Sequence, residues 1–158
     1  MNDDKTKRMI EFLQSCPVIQ QNPPFFNFGN VEDNAHQVTI NSDDVDLQRP
    51  YIDGSVLKRY TCVIDSFKSV SSVPLVSGDT DENVEDFSEV QSILDWINDQ
   101  GDASIYPDFG EGCNIDSMKT LSTKPTLVGI ESTLNPPVAI YRIVVQIDYV
   151  DSTKRLWN

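Results

Sequence analysis

Few residues in this chain are of the kinds that make or break bonds, and their spacing argues against the common chemistries. His36 is the only histidine. A pair of histidines for acid–base work, or a His-rich metal site, is therefore excluded by count. Cys16, Cys62 and Cys113 are odd in number and widely spaced, which fits neither a disulfide framework nor a zinc site. They read as three free thiols. A Cys–His nucleophile would need one of them to meet His36, and no local signature supports that. The run Asp79-Thr80-Asp81-Glu82-Asn83 begins like a calcium loop. That pattern needs glycine at its sixth position and a bidentate glutamate at its twelfth, where the chain has Val84 and Val90. Gly110-Glu111-Gly112 lacks the further glycines and the Lys-Ser/Thr of a phosphate loop. Acid pairs such as Asp43-Asp44 could imitate a hydrolase dyad, but with 25 acids in the chain such pairs arise by default. No catalytic residue, cofactor site or metal site is expected, and the residues point away from an enzyme.

The charge balance narrows the partners. Acids number 25 against 12 bases, a net charge of −13. Binding nucleic acid through its phosphates needs clustered Lys and Arg, and so does adhesion to an anionic membrane. Such an acidic surface serves solubility, or it repels something negative, such as DNA sliding past. The start, Met-Asn-Asp-Asp-Lys, carries no apolar core of a secretory signal. No stretch approaches the roughly 20 apolar residues of a membrane-crossing helix. With three free thiols, a reducing cytoplasm is the expected place of synthesis.

The elements that could position such a surface are legible. In Val138–Tyr149, residues Ala139, Tyr141, Ile143, Val145, Ile147 and Tyr149 fall at every second position. Alternate side chains of a strand share a face, so this is a long half-buried strand. Its cover is the segment 84–97, where Val84, Phe87, Val90, Leu94 and Ile97 recur at helical spacing and Ile93 and Trp96 widen the stripe. Asn83 is placed to cap that helix with Asp86 three residues on, and Gly101 to end it. A first helix is predicted over 4–15, with the stripe Met9, Phe12, Leu13, Cys16 and a stop at Pro17. Residues 20–34 form a long connection holding Phe25, Phe26 and Phe28, which either tuck onto the core or reach for a partner subunit. Val38 and Ile40 suggest a short strand before an acidic turn, Asp43-Asp44-Val45-Asp46. A long strand follows from Val56 to Phe67, then a loop over 68–82. A second loop spans 101–113, and short strands are predicted near Ile115–Leu121 and Thr126–Glu131. At 158 residues the chain reads as one domain, 1–158. Its class is α+β: a mainly antiparallel or mixed sheet, two amphipathic helices on one face, and long loops.

Laid out in order, these pieces resemble a family of small phage proteins from Gram-positive hosts, often labelled minor capsid proteins and corresponding to tail terminators. The matching pieces are Phe12-Leu13-Gln14-Ser15-Cys16-Pro17, the aromatic arm Phe25–Phe28, and Ile52-Asp53-Gly54 leading to Phe67. They continue with Asn83–Val90 through Leu94-Asp95-Trp96-Ile97, then Tyr106-Pro107, Gly110-Glu111-Gly112, and Ala139–Ile143 ending at Tyr149. These motifs are structural, and their weight rests on order and spacing. The loop 68–82 matches nothing.

The resemblance implies a virion protein of the tail or neck, assembled in the host bacterial cytoplasm as a homohexameric ring on the last ring of the tail tube. Such a ring ends tube growth and offers its other side to the head connector or other neck proteins, while DNA passes through an acidic bore without specific binding and no membrane is involved. A heterologous contact repeating along an axis makes a filament, and a closed ring with a different upper surface stops it. On this reading Phe25, Phe26 and Phe28 are candidates for ring or tube contacts. Asp43, Asp44, Asp46, Asp79 and Asp81 are candidates for bore-lining or tube-facing acids. The competing readings are another neck protein, a head–tail connector or stopper, and a hydrolase built on clustered carboxylates.

Overall fold

The computed structural model of the chain describes residues 2–21, 25–26, 35–46, 54–69, 82–131 and 138–153. Along them run α1 (Asn2–Leu13), α2 (Pro17–Gln21), β1 (Phe25–Phe26), β2 (Ala35–Asp46), β3 (Val56–Ser69), α3 (Glu82–Asp102), β4 (Cys113–Thr120), β5 (Thr126–Glu131) and β6 (Val138–Asp151). The strands make one sheet in the order β1-β2-β3-β6-β4, with β5 also on β6. Only β1 and β2 run parallel; the other pairings are antiparallel. The class is α+β, as the sequence pattern predicts.

The period-two pattern of β6 sets the core. Ala139, Ile143, Val145, Ile147 and Tyr149 are all buried. Across the ladder Tyr60, Cys62 and Ile64 of β3 sit opposite Ile147, Val145 and Ile143, so they enlarge the same apolar face. Onto it pack Met9, Leu13 and Cys16 from α1 and its turn, Ile19 from α2, and Val90, Ile93, Leu94 and Ile97 from α3. Each such side chain taken out of water contributes roughly 1.5–3 kcal/mol. Phe87 meets Tyr141 edge to face, and Phe12 rests on Trp96. Burial among apolar neighbours pushes the Cys62 thiol up to about 12, which makes it an inert core group.

The chain departs from the sequence reading in several places: Phe25 and Phe26, read within a connection, form β1, and the short strand read at Val38 and Ile40 is the twelve-residue β2. The first helix ends at Leu13, and Pro17 opens α2 instead of merely closing α1. Proline suits that first helical position because its missing N–H has no partner to lose. The acids Asp43, Asp44 and Asp46 lie within β2 and form no turn after it. Lastly, α3 runs through Gly101 to Asp102. Its end is closed by the Ser104 N–H on the Gly101 carbonyl and the Ile105 N–H on the Gln100 carbonyl, and Ser104 takes a left-handed φ of 58°.

Gly101 serves a different purpose. A Cβ there would collide with the Met118 carbonyl oxygen, so its absence lets α3 lie directly on β4. Gly101→Ala is therefore expected to destabilise the fold by about 1–3 kcal/mol although alanine is the better helix former. Ser104→Gly, which relieves the left-handed backbone, should stabilise it by about 0.5–1 kcal/mol. Urea unfolding of the two variants checks both signs.

Candidate interaction surface

The sheet has two lateral borders of different character. On one side, β4 and β5 line the same edge of β6: β4 pairs with 145–151 and β5 with 138–142. They are one border strand with an interruption at 121–125. The interruption is built and held. Leu121 N–H bonds the Val144 carbonyl, which carries the ladder across the gap. Asn98 of α3 clamps Thr120 both ways, its Nδ2 on the threonine Oγ1 at 2.9 Å and its Oδ1 taking the Thr120 N–H at 3.1 Å. Gln91 Nε2 donates to the Thr123 carbonyl at 2.9 Å. Pro125 is buried beneath. Helix and border are thus positioned together, α3 fixing the path of the segment that breaks the strand.

Among the described residues nothing covers the apolar side chains of this border. Leu121 is 60% exposed, Leu127 52%, Val128 43% and Ile130 52%; among the described residues Ile105 is the other large apolar side chain so exposed. Leu127 and Ile130 pair with Tyr141 and Ala139, so they stand on the helix-bearing face of the sheet, in a part α3 leaves uncovered. Register shifts at Ile115/Ser117 and Leu127/Gly129 put Asp116 and Val128 in bulges. Clustered exposed apolar residues on an open sheet border mark a surface for another chain.

The opposite border is β2, with β1 beside it at Gln37 and Val38. Ser42, Asp43 and Asp44 lie between Asn41 and Val45, whose β3 partners Thr61 and Arg59 are separated by Tyr60 alone. This wide bulge pushes the acid pair out of the ladder. Asp46 regains register opposite Lys58. Phe25, Phe26, Asp43, Asp44 and Asp46 therefore share one border, about 23 Å from one end to the other at strand spacing. Phe28, Asp79 and Asp81 lie outside the described residues. The β4–β5 border is the feature that sequence reasoning missed. Its signal was present in Leu127 and Ile130, which alternate like any half-buried strand.

Carboxylates on the helix-free face are committed to structure. Arg142 forks onto Asp65 at 2.8 and 3.1 Å, and Arg59 onto Asp148 at 2.8 and 3.2 Å, each pair directly opposed across β3 and β6. These bonds raise both guanidinium pKa values. Lys68, only 1% exposed, meets Glu89 of α3 at 3.0 Å on the other face. Among the described residues no three His, Cys, Asp or Glu side chains gather as a metal-binding group, and no helix is long and apolar enough to cross a membrane.

Burial resists ionisation of Asp151, but hydrogen bonds from the Thr153 side chain and backbone, with Lys58 at 3.1 Å, outweigh it and hold the carboxyl at about 2. A depressed carboxyl pKa adds stability above its ordinary value of 3.8, and that stability is lost as pH falls toward 2. Asp151→Asn should lower stability near neutral pH by about 1 kcal/mol after solvent screening, and flatten its decline between pH 4 and 2. Urea midpoints at pH 7, 4 and 2.5 test this.

No known family model matches this chain, and no curated protein matches it.

Proposed function

We propose that this chain is a structural subunit of a phage tail or tail-like particle, which closes into a ring on the end of the tail tube, stops tube growth and presents its far side to neck proteins. The observation that carries the reading is the uncovered apolar border of β4–β5, a surface suited to another protein and not to a small substrate. A frame whose sheet is covered on one face by helices, with a sticky border, suits a body that repeats around an axis. The order of motifs that resembles tail terminators supports the same conclusion. The net charge of −13 is compatible with duplex DNA passing a ring without being held.

The test is addition of purified protein to polymerising tube protein, with lengths read by electron microscopy. Tubes should shorten at amounts far below the tube subunit concentration, with added density at one end. Leu127→Asp/Ile130→Asp should abolish that effect while leaving the thermal unfolding midpoint within a few degrees, since both side chains are already about half exposed. Unchanged tube growth would end the terminator reading. Duplex DNA should show no measurable affinity at moderate salt.

A further inference from the structure

We infer that successive copies join head to tail through opposite borders of the sheet: the start of β5 and the Lys119–Lys124 break of one copy meet β1 and the acidic bulge of β2 in the next. This rests on the ring reading above and names the surfaces that would make it.

Charge supplies the first argument. Each copy carries −13, so two copies repel unless their contact is locally complementary. Between Asp116 and Glu131 the chain holds Lys119 and Lys124 and no acid, in a protein where acids outnumber bases 25 to 12. Both lysines are exposed. β2 is the reverse, with Asp43, Asp44 and Asp46, no Lys or Arg in its twelve residues, and His36 counted as neutral at pH 7.

Register supplies the second. Rows of directly paired residues cross the sheet from border to border. One row reads Phe25, Gln37, Asp65, Arg142, Thr126, so β1 lies level with the start of β5. Another reads Asn41, Thr61, Gln146, Lys119, and the Asp43–Asp44 bulge begins one residue past Asn41. Copies set side by side at equal height, as rotation about a ring axis requires, thus bring Lys119 level with the acid pair. The same placement sets Thr126 level with Phe25 and the 121–125 break level with Phe26, while Leu127 to Ile130 run on past the Phe25 end of β1. Directions agree as well: β4 and β5 run parallel to β3, while β1 and β2 run against it, so the two borders meet antiparallel.

The alternative, β5 on β5 about a twofold axis, offers the lysines no acidic partner from the facing break and stops at a dimer. The head-to-tail contact repeats, and when it closes it leaves no open border.

The experiment is a charge swap read by sedimentation at low salt. Wild type should assemble, and more weakly as salt rises. Lys119→Glu/Lys124→Glu and, separately, Asp43→Lys/Asp44→Lys should each raise the concentration needed for assembly about tenfold or more. The chain carrying all four substitutions should return to within about threefold of wild type, because opposite charges face each other again. Circular dichroism melts confirm that each variant is folded. Wild type that remains a monomer at every concentration and on tube ends would overturn the ring reading and this contact together. Wild type that forms rings, with either half-swap assembling normally or the fourfold variant failing to recover, would overturn this contact and leave the ring standing.

Discussion

The structure depends on the pairing of β6 along its whole length on both sides. Every residue from Val138 to Asp151 has a partner in β3, and the other side is taken by β5 and then β4. A central strand of this kind has no freedom of register, because a slip of one residue would carry Ile143, Val145, Ile147 and Tyr149 to the face of the Arg–Asp forks. Those forks add a second constraint. Arg142 on Asp65 and Arg59 on Asp148 are directly opposed pairs across β3 and β6, so a shift of that ladder by one would separate all four charges. Apolar face and charged face thus select the same alignment, which is the consistency that gives one native state over its neighbours.

From that strand the helix layer follows. α3 lies against β4 because Gly101 has no side chain to hold it off the Met118 carbonyl. Being that close, it can reach the border with short polar groups: Asn98 takes Thr120, and Gln91 takes the Thr123 carbonyl. The break in the border strand, which Ser122-Thr123-Lys124-Pro125 already favours, is held in place by the helix packed beside it. The buried Lys68 would be costly alone, and Glu89 on α3 offsets it while tying the helix to β3.

This hierarchy explains what could be read from the chain alone. The long strands β3 and β6, both larger helices and the α+β class were legible, since each depends on a periodicity contained within one segment, whereas the twelve-residue β2 read only as a short strand at Val38 and Ile40. β5 was read at its observed bounds for the same reason. Three things were not legible. The 42–44 bulge of β2 looked like a turn because Ser-Asp-Asp favours turns; pairing with β3 on either side carried the strand through it. Gly101 looked like a stop, since nothing local says that a strand lies one atom away. The exposed border was hidden because alternation shows that a strand has an apolar face and is silent on where the covering helix ends. The acids Asp43 and Asp44 were singled out, yet their place on the border opposite Lys119 follows only from rows of pairing that span more than 100 residues of chain.

An open apolar border is a hazard as well as a surface, because any extended chain can add to it. Here three features make it selective. The bulge at Val128 and the displaced 121–125 segment interrupt the row of backbone donors and acceptors, so a straight strand finds no continuous ladder. Pro125 supplies no N–H within the gap. Lys119 and Lys124 penalise a partner that brings positive charge to the same height and reward one that brings acids. A border with these properties disfavours a copy of itself and favours a bulged, acidic one, the character that β2 has in the contact proposed above. Affinity in such a contact comes from the leucines and isoleucine, whereas its choice of partner comes from the irregularities and the two lysines.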